Sequence, residues 1–180
     1  MPQVPFEEKI SDNLHQYLRS QGQIDRVLQS SPDIDDRWQS IASSYIPDGA
    51  REYRNYPVAS LGWMMYIGMA VAQFWDDEWS IYSQIDDLYR YIRDKRGYDA
   101  LDEYVREDVL MLRPDNPDYD ALEALVSECA ARVHHALVRE QFEPATKEAF
   151  DAYVACLHQL FRFGAALQLH RLGYHMHKLS

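Results

Sequence analysis

The side chains best suited to chemistry are Asp77 and Glu78, within Trp75-Asp76-Asp77-Glu78-Trp79, together with the histidines His134 and His158. Two carboxylates and two imidazoles suit a divalent transition metal. A pair of carboxylates removed from water also suits acid–base work, because burial and mutual repulsion raise their pKa values. Which role Asp77 and Glu78 take depends on the backbone. If one helix runs through residue 80, both fall between Phe74 and Ile81 on its apolar face. If the helix breaks there, Asp76 or Asp77 becomes the N-cap of a second helix, and Glu78 complements its dipole.

The histidines divide by their surroundings. His135 shares a charged strip with Glu128, Arg132 and Arg139 and reads as solvated. His134 flanks the Leu122-Leu125-Cys129-Val133-Leu137 stripe, and His158 lies beside Val154, Ala155 and Phe161. Both read as half-buried structural histidines whose ring nitrogens find ordinary partners. His170, Tyr174 and His177 share a face beyond them. No Glu-x-x-His occurs, so the paired di-iron bundle signature is missing. The zinc-protease, EF-hand, P-loop and nucleophile-elbow patterns are missing too. No cofactor is implied, and no metal site is assigned.

The aromatic residues offer another kind of site. Trp75, Trp79 and Tyr82 form a stripe that either packs inward or anchors a partner; Trp38 and Trp63 are the other tryptophan candidates. Met64, Met65 and Met69 suggest a pocket for a small apolar ligand, or simply a core.

These residues must be positioned by helices. Val58 to Ala72 is apolar on every side except for Ser60. A helix of that kind is the centre of a bundle or a membrane span. The run is shorter than the roughly 20 residues a span needs, so a buried helix over about 57–75 is expected. Pro57 to Arg96 as one helix would be about 60 Å long, against a radius of gyration of about 16 Å for a chain of this size. A break is therefore expected in the polar stretch 76–80.

Proline and glycine punctuate the rest. Helices are expected from Pro5 to Gly22, from Ser31-Pro32 to Pro47-Asp48-Gly49, and from Ala100 to Leu112 with Asp99 as its cap. Two longer ones follow, from Asn116-Pro117 to about Phe142 and from Pro144 to Gly173. Residues 48–56 read as a partly ordered connection. No period-two runs bounded by hairpin turns appear. The fold class is all-α: a compact bundle of six to seven helices in one domain, 1–180, around a buried central helix. Gly62, Gly68 and Gly164 fall inside helices, where each costs about 1 kcal/mol relative to Ala. Close approach of Gly164-Ala165-Ala166 to Gly62 or Gly68 would compensate.

The formal net charge is −11. It opposes non-specific binding to nucleic acid or to an anionic membrane. Ala152 to Ser180 contains no acidic residue, so the last helix should sit among acidic neighbours. Cys129 and Cys156 read as buried, reduced thiols. With no secretory leader in the N-terminal residues, a reducing cytoplasm is the expected home. Binding is expected over catalysis: a homo-oligomer, or an acidic partner of a basic protein. The alternatives are an enzyme or metal protein built on Asp77, Glu78, His134 and His158, and a small apolar-ligand binder.

Overall fold

The computed structural model describes residues 5–174, and these fold into eight α-helices, with no strand among them. The fold is an all-α bundle. Its axis is α4, Pro57–Tyr82, which is long and apolar enough to cross a membrane, yet 72% of its most apolar stretch is buried inside the protein. Length alone therefore does not separate a span from a core helix here. What accounts for the apolar faces is that other helices cover them: α8 (Lys147–Arg171) on one side, α7 (Pro117–Arg139) on another and α3 (Trp38–Tyr53) on a third.

The α4–α8 crossing is set by glycine. A Cβ on Gly68 would collide with the Phe161 carbonyl and lie 3.1 Å from the Ala165 amide nitrogen. A Cβ on Gly164 would collide with the Met65 carbonyl oxygen. Backbone thus meets backbone, and dispersion over this tight contact offsets the cost of glycine in a helix. Gly62 faces α7 instead, where a Cβ would meet Val126 and Ala130 at an ordinary 3.5 and 3.6 Å. The expected approach thus holds for Gly68 and not for Gly62.

α4 does break where its length demands. Glu78 has φ −163° and ψ 76°, and the last turn beyond it ends at Tyr82. The next helix, α5 (Leu88–Arg96), begins later, and its cap is Asp87, which accepts from the Arg90 amide at 3.0 Å. It stops at Gly97, whose φ is 87°. A 3-10 turn over Tyr98–Ala100 then leads into α6 (Leu101–Tyr104), extended by a π-turn over Val105–Val109.

Three expected boundaries move. α3 does not stop at Pro47 but runs to Tyr53, so 48–53 is helix and not loop. The proline ring sits on the solvent side, where Ser43, four residues back, is also exposed, and water can satisfy the carbonyl that loses its bond. Gly49 is buried, and a Cβ there would collide with the Tyr45 ring and lie 2.7 Å from the Tyr153 hydroxyl, so it serves close packing and not termination. The second expected helix is split, with α2 a single turn over Pro32–Asp35. α8 starts at Lys147 and not at Pro144, because Thr146 Oγ1 accepts from the Ala149 amide at 3.1 Å and fixes the cap.

α1 (Phe6–Ser20) buries Ile10, Leu14 and Leu18 at helical spacing. It packs on α8 and α7. Acidic neighbours do surround α8. Glu7 meets His158 and Gln159, Asp25 lies 3.5 Å from His170, and Asp35 stands near Arg162. Both cysteines are free thiols and buried.

Candidate functional site

Asp77 and Glu78 are exposed on the kink. Asp77 Oδ1 accepts from the Gln73 amide at 2.8 Å, and Gln73 Oε1 accepts from Gln168 at 2.7 Å. Neither carboxylate lies on a core-facing stripe. The neighbouring Asp76 accepts from the Tyr174 hydroxyl at 2.6 Å. His158 stacks on Trp38, with centroids 4.8 Å apart, and its Nδ1 is 3.0 Å from Glu7. His134 sets its ring against the Tyr53 ring at 5.8 Å, and burial holds its pKa below the ordinary histidine value. The two histidines therefore have separate surroundings, and neither includes the 76–78 acids. Among the described residues no three His, Cys, Asp or Glu side chains gather as a metal would require.

The aromatic stripe is spent on its own chain. Trp75 Nε1 donates to Asp33 at 3.1 Å. Trp79 lies under the Arg37 guanidinium at 5.4 Å, and Tyr82 stacks on Phe74 at 4.1 Å. Met64, Met65 and Met69 are fully buried in the core, and none of them lines the groove described below. Of the His170, Tyr174 and His177 face, His177 lies outside the described residues.

Two features are absent from the sequence reading. The first is a polar seam through the core. Ser60 Oγ donates to the Gly49 carbonyl at 2.7 Å and lies 2.6 Å from the Tyr153 hydroxyl. Tyr45 donates to the Ser60 carbonyl, and its hydroxyl lies 3.2 Å from that of Tyr98. Tyr89 and Arg93 both donate to Asp48 Oδ2, at 2.6 and 3.0 Å. Burial pushes the Tyr45, Tyr89, Tyr98 and Tyr153 phenols up, so all stay neutral as hydrogen-bonding groups. This seam rigidifies the packing of α3, α4, α5 and α8.

The second is an apolar groove of about 660 Å³. The end of α3 gives it Ala50, Tyr53 and Arg54; the last turn of α7 gives Leu137 and Val138; and Phe142, Ala149, Phe150 and Tyr153 complete its walls. Its size falls within the range of small-molecule sites. Val138 is 58% exposed and Phe150 47%, a large apolar area to leave in water. The loop beside it holds Gln141 and Ala145 in the left-handed region, with φ of 55° and 61°. Arg54 is the only charged residue among its lining, and the N-terminus of α8 borders it. His134 stands behind the Tyr53 wall. Exposed Val138 and Phe150, each beside a core stripe, are the one sequence signal that could have pointed to the groove. Comparison with protein-family models, with curated proteins and with solved structures yields no match.

Proposed function

We propose that this chain is a binding protein whose ligand is a small amphipathic anion, an apolar body carrying a carboxylate, held in the groove between α3, α7 and α8. The observation that carries this reading is the composition of the groove. In a chain with 29 acidic and 18 basic residues, its lining contains no Asp or Glu and one Arg. Arg54 offers a planar, bidentate partner to a carboxylate. The first turn of α8 adds the positive end of a long helix dipole. The apolar walls supply most of the affinity by burial. Binding is favoured over catalysis because the groove brings together no nucleophile, base or acid pair. It is favoured over a protein-partner role for Trp75, Trp79 and Tyr82 because those rings are already engaged within the chain.

Isothermal titration with octanoate and decanoate tests the reading. Decanoate binds more tightly, by up to about fourfold for each added methylene. Arg54→Gln weakens decanoate about tenfold and leaves decanol unchanged. Ala149→Trp, which fills the groove, abolishes both. Absence of saturable decanoate binding, or binding indifferent to Ala149→Trp, rules the reading out.

A further inference from the structure

A small cavity lies between the connection that joins α1 to α2 and the middle of α8. Its lining includes Leu28, Gln29, Ser31, Asp35, Arg162 and Ala165. Gln29 is 1% exposed and Ser31 0%. Neither Nε2 nor Oε1 of Gln29 has a hydrogen-bond partner among the described residues, and neither does Ser31 Oγ. Exchanging the two ends of the Gln29 amide changes nothing, because both ends lack partners. The Ser31 hydroxyl is not spent as a helix cap either. Its backbone carbonyl is used, accepting from the Ile34 and Asp35 amides at 3.1 and 2.9 Å. Buried polar groups are almost always paired, and an unpaired one costs its full desolvation. Here a donor, an acceptor and a hydroxyl that can be either are unpaired side by side.

Size and charge decide what could pair them. The cavity holds about 10 Å³. That is about the room one water needs, and it excludes an organic ligand. A monovalent cation of the same size would leave the Gln29 N–H groups without an acceptor and would meet the Arg162 guanidinium. An anion would leave Gln29 Oε1 without a donor and would meet the Asp35 carboxylate. A neutral molecule with two donors and two acceptors fits both ends of the amide. Arg162 donates from Nη1 to Gln159 at 2.9 Å, and the guanidinium carries further N–H groups beyond that bond.

We infer that this cavity is the binding site of a single internal water. The water accepts from Gln29 Nε2 and donates to Gln29 Oε1, and the Ser31 hydroxyl completes its shell. Asp35 and Arg162 border it as a further acceptor and donor. A bridging water of this kind is nearly as favourable as a direct hydrogen bond. It fastens the 28–31 stretch to α8 by polar contact, where the glycine contacts fasten α4 to α8 by packing.

The test is oxygen-17 magnetic relaxation dispersion on the full chain, which detects waters held long enough to tumble with the protein. Gln29→Met keeps the length of the side chain and removes both polar ends. It lowers the dispersion amplitude by the share of one held water. In the unmodified chain, a rotating-frame cross peak of dipolar sign, opposite to that of chemical exchange, joins water to the Gln29 side-chain amide protons. Exchanging sodium chloride for ammonium chloride leaves the amplitude unchanged. An amplitude that stays the same in folded Gln29→Met overturns the assignment. So does absence of the dipolar cross peak, a measurement that needs no variant to fold. Loss of amplitude in ammonium chloride would make this a cation site and overturns it as well.

Discussion

Asp48 carries a charge that the fold uses fully. Burial works to raise its carboxyl, but hydrogen bonds from Tyr89 and Arg93 outweigh that and hold it below the usual carboxylate range. A carboxylate lowered in the folded state adds stability above its unfolded pKa, and loses it as pH falls through the folded value. Asp48→Asn keeps the shape and removes the charge. It lowers unfolding free energy by about 2 kcal/mol at pH 7, and the gap to the unmodified protein closes as pH drops below about 4. Urea unfolding at pH 7 and pH 3 measures both. A gap that does not shrink between pH 7 and pH 3 would place the effect in packing. In sequence, Asp48 reads only as the middle of Pro47-Asp48-Gly49, a helix stop. Its partners, Tyr89 and Arg93, lie more than 40 residues away, and no local pattern announces them. Asp77 and Glu78 show the converse. Their clustering draws the eye, but the kink at Glu78 turns them out to water.

Glycine separates the helix contacts from one another more sharply than any larger residue does. Gly68→Ala and Gly164→Ala each push a methyl into a carbonyl of the facing backbone, which cannot swing aside as a side chain would. Each costs more than about 2 kcal/mol. Gly62→Ala places the same methyl at ordinary contact distance from Val126 and Ala130. There the helix propensity gain dominates, and stability rises by up to about 1 kcal/mol. Thermal melts of the three variants would read this opposition. A uniform loss across all three would mean that α7 packs on α4 as tightly as α8 does. The interior position of these glycines is legible in the sequence, and so is the α4 break, since length alone requires it. The course of α3 through Pro47 is not, because the deciding contacts come from Tyr153 and Ser60 on other helices.

At the scale of the molecule, the all-α class follows from helical periodicity and terminators, which act locally. The groove does not, because it is built from segments distant in sequence. Charge is the remaining global property legible from composition. At −11 the folded chain repels itself, and the compact state bears more of that repulsion than the expanded one. Most of the ion pairs that could offset it, such as Arg90–Asp94 and Lys147–Asp151, are exposed and worth little. The Arg106–Asp102 pair, at 3.1 Å, is largely buried and weakly screened. Raising sodium chloride from about 10 to about 150 mM shortens the Debye length from about 30 to about 8 Å. That screens the long-range repulsion more than the short-range pairs, so Tm in scanning calorimetry should rise. A fall in Tm over the same range would mean that the surface pairs act as a network stronger than the net charge. The same titration on Arg96→Gln, which removes a guanidinium bridging Glu107 and Asp108, should then show a steeper rise than the unmodified protein. The loss of that cation leaves more negative charge for salt to screen.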